Sequence, residues 1–211
     1  MTMDNTILKK VLIWFWSIFA LGLASIILIF WLITKGALGY LPPLDELQNP
    51  KNTFATEVIS SDMQLLGRYY RQENRVGVNY EDISPNMINA LIATEDARFY
   101  NHTGIDFKSL FRAIIKMGRA GGGSTITQQL AKQLWSPRAN NIFERALQKP
   151  IEWVIATKLE RLYSKEEILT MYLNQFDFLY NAVGIKSAAQ VYFSTTPDQL
   201  TIEEAAMLVG M

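Results

Sequence analysis

The chain has 211 residues, which is room for one membrane-spanning segment and one globular domain, because domains usually contain about 100 to 150 residues. Its 20 basic and 20 acidic side chains cancel. We therefore expect no nucleic-acid partner, since such a partner normally requires a strongly basic domain. The absence of cysteine from the sequence excludes disulfides, thiolate zinc sites and cysteine nucleophiles.

The first element is an uncharged run of 23 residues, Val11 to Ile33. At about 1.5 Å per residue, a helix of this length spans the roughly 30 Å hydrocarbon core of a bilayer. A cleaved signal peptide is the alternative, but its apolar region is only about 7 to 15 residues long. Lys9 and Lys10 precede the run and Lys35 alone follows it closely, so the positive-inside bias predicts a cytoplasmic N-terminus.

A juxtamembrane linker is predicted over residues 34–54, because Pro42 and Pro43 oppose regular structure. Alternation of apolar and polar residues beyond this linker predicts a short β-hairpin that turns at Ser61 and Asp62. The predicted organisation is a tail, a span, a linker and one domain, over residues 1–10, 11–33, 34–54 and 55–211.

Helical patterns begin after residue 84. Ser84 and Pro85 predict a helix start, and the stripe that follows leads to Glu95 and Asp96 at the helix C-terminus. Asp106 predicts the cap of the next helix. In that helix we expect a buried apolar face, formed by Phe107, Leu110, Phe111, Ile114 and Ile115. The basic face consists of Lys108, Arg112, Lys116 and Arg119. It has two interpretations, a solvated surface or a functional one.

The segment Ala120 to Lys132, AGGGSTITQQLAK, combines a glycine run with a predicted helix start. Thr125 and Gln128 have the spacing of a capping box. The amides of such a helix start, with the hydroxyls of Ser124 and Thr127, are candidates to hold a phosphate or a sugar hydroxyl. The alternative is a plain connection, since most loops are connectors. No Lys followed by Ser or Thr closes the segment, so it is not a Walker loop.

Three later segments are less distinctive by themselves. Pro150 predicts a kink or a restart in the helix around Glu152, where an acidic residue also suits a helix N-terminus for structural reasons alone. We interpret Ser164 to Asn174 and Gly184 to Phe193 as scaffold. The single histidine, His102, is interpreted as a hydrogen-bonded structural residue, because one imidazole does not form a multi-histidine metal site.

Together these segments resemble the glycosyltransferase family of penicillin-binding proteins and monofunctional peptidoglycan transglycosylases. The resemblance extends over about residues 55–211 and rests on five motifs in order, EDARFYNHTG, GGSTITQQLAK, KPIE, KEEILTMYLN and GIKSAAQVYF. It implies a mainly α, lysozyme-like helical domain with a short N-terminal β-hairpin region, beside the one transmembrane helix. It also implies an enzyme that polymerises lipid II and releases undecaprenyl diphosphate with inversion.

The resemblance also implies roles for individual residues. Glu95 is expected to be the general base on the acceptor hydroxyl, and Glu152 to assist the leaving diphosphate or to position a divalent cation, Mg or Mn. No organic cofactor is expected. The two acidic side chains are expected to face each other across a cleft. Substrate-binding positions implied by the motifs are Asp96, Arg112, Ser124, Thr125, Gln128, Gln129, Lys132, Arg145 and Lys149.

The expected partners are lipid II, the growing glycan chain, the bacterial cytoplasmic membrane, a transpeptidase and other proteins of cell-wall synthesis. A hydrophobic ledge near the bilayer is expected to admit the lipid tails. The sequence departs from the family pattern at Gln133, Gln148 and Pro150, and Glu144 stands where an arginine is usual, with Arg145 next to it. We expect the domain to continue beyond Met211. The rival hypotheses are a lysozyme-like wall-cleaving enzyme and a non-catalytic scaffold that binds lipid II.

Overall fold

A computed structural model of the chain describes residues 5–50, 56–62, 65–69, 76–116, 122–136 and 141–211. The described part is mainly helical, as predicted. We number its helices and strands in chain order as α1 Asn5–Thr34, α2 Leu44–Gln48, β1 Thr56–Ile59, β2 Leu65–Tyr69, α3 Pro85–Glu95, α4 Phe107–Ile115, α5 Ile126–Trp135, α6 Ile142–Leu162, α7 Lys165–Gln175, α8 Ile185–Phe193 and α9 Ile202–Val209. Short 3-10 helices lie at Tyr80–Asp82, Phe99–Asn101 and Pro197–Gln199.

Helix α1 contains the predicted membrane span. Over Thr6–Thr34 it is long and apolar enough to cross a bilayer, and only 6% of its most hydrophobic stretch is buried in the protein. A core helix of a globular domain would be covered by neighbouring elements, whereas this one exposes its apolar side chains. Near its C-terminal end the covering begins, with Ile33 fully buried.

The predicted linker is more ordered than its prolines indicate. Helix α2 begins directly after Pro43, so the expectation of irregular structure is wrong there. Leu47 is fully buried in the domain core, and the hydroxyl of Tyr163 donates to its carbonyl oxygen at 2.8 Å. The indole of Trp135 donates to the Glu46 carboxylate at 3.1 Å. These contacts attach α2 to the domain. The helix can form directly after Pro43 because proline is tolerated at the start of a helix.

The predicted hairpin is confirmed. Strands β1 and β2 pair antiparallel, with Thr56 opposite Tyr69 and a register shift between Val58 and Ile59. Ser61 and Asp62 lie in the turn region, as expected.

The core is formed by helices packed around α5 and α7. Helix α3 packs on α9, and α5 packs on both α6 and α7. The start of α3 confirms the predicted cap: Ser84 accepts from the amide of Asn86 at 3.2 Å and donates to the carbonyl of Leu200 at 2.9 Å. The caps at Ser164 and Thr201 are complete capping boxes. Helices α3, α7 and α9 therefore begin where a side chain satisfies one of their first free amides.

Helix α8 approaches α7 closely at Gly184. The φ angle of Gly184 is +81°, and a Cβ atom there would be 2.8 Å from the carbonyl oxygen of Asn174. Only glycine adopts this conformation without strain and leaves this space. The small residues Ser187, Ala188 and Ala189 are fully buried, which confirms the interpretation of this segment as packing.

Helix α4 contradicts the expectation of a buried apolar face. Phe107, Phe111 and Ile115 are 71%, 66% and 63% exposed, and Leu110 is half-buried. The side chain of Ile114, and all of Arg119, lie outside the described residues. The helix has the strong amphipathic pattern that the sequence predicts, but the described domain does not cover the apolar side.

Helix α6 is continuous through Pro150, so of the two predicted outcomes the restart is wrong, and a kink stays a prediction. Proline removes one backbone hydrogen bond, and the helix packs on α5. The fully buried residues Ile155, Ala156 and Leu159 lie after the proline, and they anchor that half of the helix in the core.

Candidate active site

A cavity of about 450 Å³ lies beside the C-terminus of α3. Its wall combines Glu95 and Asp96 from the end of α3, Arg112 from α4, and Ser124 and Thr125 from the glycine-rich loop before α5. Gln129, one turn into α5, completes the polar lining. The first two predicted motifs therefore form one concave polar surface.

Glu95 is held by a chain of two hydrogen bonds. The side-chain amide of Gln129 donates to a Glu95 carboxylate oxygen at 2.6 Å, and the Tyr172 hydroxyl donates to the Gln129 carbonyl oxygen at 3.0 Å. Burial of Tyr172 and the nearby Glu95 charge both raise the pKa of that phenol, so it stays a donor. Glu95 itself is half-buried and reaches the cavity. Helix α7 was predicted to be scaffold only, and Tyr172 is its link to the site.

Asp96 is a buried carboxylate that joins the first two motifs. Its oxygens lie 2.9 and 3.1 Å from Nε2 of His102, and one of them accepts from the amide of Ile126 at 3.1 Å. Nδ1 of His102 accepts from the amide of Gly104 at 3.2 Å, which leaves Nε2 to donate to Asp96. This confirms the structural interpretation of His102. It also places a protein carboxylate at the helix start that was a candidate phosphate site.

The predicted capping box at Thr125 is only half formed. Thr125 accepts from the amide of Gln128 at 3.2 Å, but the Gln128 side chain donates to the carbonyl of Gly104 at 3.1 Å instead of returning to the cap. Thr125 donates to the same carbonyl at 2.7 Å. Thr127 is fully buried and donates to Glu160 at 2.6 Å, so its hydroxyl does not face the cavity.

Gly104 accepts these hydrogen bonds from the start of α5 and packs against α6 on its other side. Its φ angle is +92°, and a Cβ atom would be 2.9 Å from the backbone of Ala156. The position requires glycine for both reasons. The turn after His102 is thereby clamped between α5 and α6.

Two arginines near the cavity have different surroundings. Arg98 donates to the Asp106 carboxylate at 2.7 and 3.0 Å and to Ser109 at 2.9 Å. Burial raises the pKa of Asp106, but these bonds and those from the start of α4 outweigh it and lower the pKa to about 2. Asp106 accepts from the amides of Lys108 and Ser109, which confirms the predicted cap. Arg112 has no acidic partner among the described residues, so its charge is available to the cavity.

Glu152 is connected to the cavity through Lys149. The Lys149 ammonium lies 2.7 Å from Oε2 of Glu152 and donates to the Ser124 hydroxyl at 3.2 Å. Glu152 is 1% exposed, whereas the Lys149 side chain is 52% exposed. Ser124 lines the cavity that contains Glu95, whereas the buried Glu152 does not line it, so the expectation that the two acidic side chains face each other across this cleft is wrong. Oε2 of Glu152 and Oε1 of Gln128 lack a well-directed hydrogen bond within the described part of the chain.

The family model described as Transglycosylase matches residues 62–211, more than half of the chain. The chain belongs to the transglycosylase family. Similar proteins include penicillin-binding protein 1A of Escherichia coli K12, 41% identical over 177 residues, which are 81% of this chain and 20% of the relative. Penicillin-binding protein 2a of Streptococcus pneumoniae D39 is 39% identical over 168 residues, 80% of this chain and 22% of the relative.

A third relative, penicillin-binding protein 1A of Aquifex aeolicus, is 42% identical over 162 residues, 74% of this chain and 22% of the relative. The transglycosylase chain thus spans about one fifth of the length of these relatives. The identity of the family is confirmed by these matches, and the roles of single residues are not tested by them.

Four predicted substrate-binding residues of this transglycosylase do not line the cavity. Gln128 is buried, and Lys149 contacts the cavity only through Ser124. The other two are Lys132 and Arg145. Lys132 is exposed on the last turn of α5, and Arg145 is exposed on the first turns of α6. Neither lines the described cavity, and their substrate-binding roles stay predictions. Ala120 and Gly121, at the start of the predicted glycine-rich site, lie outside the described residues.

The residues of the transglycosylase domain fit a protein-bound divalent cation poorly. Lys149 already places a positive charge 2.7 Å from the Glu152 carboxylate. The described residues contain no group of three or more His, Asp and Glu side chains that would hold a metal ion. Hard cations such as Mg²⁺ need several oxygen ligands, so we derive no step through a cation at Glu152.

A buried ion pair that the motifs did not predict connects the elements that position the site. Lys165 pairs with Glu160 at 2.7 Å, donates to the carbonyl of His102 at 2.8 Å and lies 4.2 Å from the ring centre of Phe99. Because Glu160 also accepts from Thr127, this one pair connects α5, α6, α7 and the His102 turn. Its sequence signal was present, since Lys165 begins the fourth motif.

Proposed function

We propose that the chain is a peptidoglycan glycosyltransferase that polymerises lipid II and releases undecaprenyl diphosphate. Membership of the transglycosylase family supports the reaction class. The observation that carries the proposal is a carboxylate, Glu95, oriented by Gln129 in the wall of a polar cavity. The same wall contains Arg112, a cation without an acidic partner among the described residues. A base and a phosphate-binding cation in one cavity are what this transfer requires.

In the proposed reaction Glu95 accepts the proton of the 4-hydroxyl group on the acceptor sugar. The acceptor oxygen forms a bond to the anomeric carbon of the donor, and the bond from that carbon to the diphosphate oxygen breaks. The electron pair of the broken bond leaves with the diphosphate. A positioned general base contributes about 10² to 10⁴ in rate. A single displacement inverts the anomeric carbon, so no covalent sugar–enzyme intermediate forms.

The leaving diphosphate gains negative charge, which preorganised cations stabilise. We assign this role to Arg112 and Lys149. Lys149 is suited to it because Glu152 and Ser124 hold its ammonium group at 2.7 and 3.2 Å while half of the side chain stays exposed. Glu152 then assists departure indirectly, by fixing the position of Lys149. Cleavage of a neutral glycan by a wall hydrolase would need no such cations.

The exposed apolar stripe of α4 supports a location at the membrane surface. We propose that Phe107, Phe111 and Ile115 form the hydrophobic ledge that faces the bilayer and admits the lipid tails. Helix α1 suits a single-pass anchor in the cytoplasmic membrane, and we propose that the tail lies inside and the domain outside. A transpeptidase that cross-links the new strands is the expected partner.

The test is polymerisation of lipid II by the purified full chain in liposomes, followed by gel analysis of the glycan strands. Glu95→Gln is expected to abolish polymerisation and to leave lipid II binding intact, because the amide keeps the shape and removes the base. Glu203→Gln is the matched control: it removes an exposed carboxylate on α9 and is expected to change nothing. Unchanged polymerisation by Glu95→Gln would eliminate the base assignment.

A parallel incubation with finished peptidoglycan separates the rival hypotheses. Soluble wall fragments without polymer from lipid II would reject the transferase in favour of a hydrolase. Lipid II binding without either product would favour a scaffold.

A further inference from the structure

A second cavity, of about 320 Å³, lies between the membrane-spanning helix α1 and helix α6. Phe30 and Thr34 of α1 form one wall, and Trp153, with the α6 residues that follow it, forms the other. The rings of Phe30 and Trp153 are stacked, with centres 6.3 Å apart and planes at 15°. Phe30 and Trp153 therefore form an apolar, aromatic floor between these two walls.

Two cations stand at the rim of this cavity. Lys158 is half-buried and Arg161 is exposed, and both line the cavity. Because they are three residues apart on α6, they lie on the same face and repel each other. No acidic side chain lines the cavity, and neither cation pairs with a described residue. The carboxylate between them in sequence, Glu160, is turned to Lys165 and Thr127 instead.

With α1 as the proposed membrane anchor, the cavity lies at the level of the lipid headgroups. The 29 residues of Thr6–Thr34 rise about 43 Å, close to the roughly 40 to 45 Å of a bilayer with its headgroups. Phe30 and Thr34 belong to the last turns of this helix, so the apolar floor meets the end of the hydrocarbon region. Lys158 and Arg161 then face the layer where lipid phosphates lie.

We propose that this cavity binds one anionic glycerophospholipid. Its phosphate lies between Lys158 and Arg161, and part of an acyl chain lies on Phe30 and Trp153. A guanidinium group binds phosphate oxygens in a fixed fork, and an unpaired cation near an anionic lipid surface strengthens binding about fivefold. A diphosphate-bearing polyprenyl lipid is a less suitable occupant, because this cavity shares no lining residue with the one that contains Glu95.

The experiment is native mass spectrometry of the full chain in detergent, titrated with phosphatidylglycerol or with zwitterionic phosphatidylcholine. We expect one phosphatidylglycerol to remain bound, at least about tenfold more tightly than phosphatidylcholine. Lys158→Gln with Arg161→Gln is expected to weaken phosphatidylglycerol binding about 25-fold, from two fivefold factors, with no change for phosphatidylcholine. The exchange Lys158→Arg with Arg161→Lys keeps both charges and is expected to keep binding.

The charge-matched control is Lys108→Gln with Lys116→Gln, which removes one exposed cation from α4 and one directly after it. An equal loss in this control would overturn the proposal, because the lipid would then respond to total charge. Equal affinity for the two phospholipids, or displacement of phosphatidylglycerol by a tenfold lower concentration of undecaprenyl phosphate, would also overturn it. If the double glutamine variant does not fold, Val154→Trp fills the cavity while keeping both cations, and unchanged binding there contradicts the site. The readout is lipid retention, so its failure leaves the proposed glycosyl transfer unaffected.

Discussion

Gln129→Leu is the most informative single substitution, because Gln129 is the only described donor to the Glu95 carboxylate. Leucine has a similar length and fills the same space, but it lacks the amide. A hydrogen bond to a charged group contributes about 1.5 to 3 kcal/mol. If that bond holds Glu95 in its reactive orientation, its loss lowers kcat about 10- to 150-fold. Gln129 is also a substrate-binding position by the family resemblance, but its side-chain amide donates to Glu95 in this structure, so KM should change little.

Tyr172→Phe tests whether the effect runs through a chain of contacts. The hydroxyl of Tyr172 contacts Gln129, not Glu95, and a neutral hydrogen bond contributes about 0.5 to 1.5 kcal/mol. The single variant should therefore lose about 2- to 12-fold in kcat. In the Gln129→Leu background the same substitution should have no further effect, because its partner is gone.

The assay is the initial rate of strand formation from saturating lipid II, with lipid II binding measured separately. Gln190→Leu on the exposed side of α8 is the matched control and should leave both quantities unchanged. Additive losses from the two site variants would mean that Gln129 and Tyr172 act independently of each other, which contradicts the chain of contacts. A change confined to KM would mean that Gln129 binds the substrate and does not orient Glu95.

Three further predictions concern stability. Lys165→Met should lower the free energy of unfolding by denaturant by about 3 to 5 kcal/mol, because it leaves the buried Glu160 without its cation. Adding Glu160→Gln should restore most of this loss. A double variant that is as unstable as Lys165→Met would contradict the explanation. Asp106 should stabilise the protein by about 2 kcal/mol above pH 4, because its pKa falls from 3.8 to about 2 on folding. The parent protein loses this contribution as the pH falls through 2, and Asp106→Asn should abolish it. Gly104→Ala should lower stability by about 3 kcal/mol in thermal unfolding, whereas Gly122→Ala, with open space at its Cβ, should be nearly neutral.

The helix starts could be predicted from the sequence because their signals are local. Ser84, Ser164 and Thr201 each stand at a cap, and the structure has a helix beginning directly after each one. A cap depends on three or four neighbouring residues, so no tertiary knowledge is required. At Thr125 the local part of the prediction holds, because the Gln128 amide donates to the Thr125 hydroxyl. The second bond of the capping box is absent, because the Gln128 side chain donates to the distant carbonyl of Gly104.

The environment of a helix face could not be predicted in the same way. The spacing of Phe107, Phe111 and Ile115 correctly indicates one apolar face of α4, but the pattern is identical whether the face meets a protein core or another apolar phase. Contacts between distant segments were also beyond reach. The bond from Tyr172 to Gln129 joins residues 43 positions apart, and neither residue type requires the other. Motifs identified the chemistry, while packing decided which of their members share the cavity.

Helix α6 relates the membrane to the site. Consecutive residues on a helix differ by about 100° in direction, so Glu152 and Trp153 point to different sides. Glu152 is buried with Lys149 on the side of the glycine-rich loop, and Trp153 stacks on Phe30 of α1. A shift of α1 along the bilayer normal would therefore act directly on the helix that carries Lys149. Because substrate and product are both lipids in the proposed reaction, we expect the height of this helix above the bilayer to affect whether a lipid-borne diphosphate reaches Lys149.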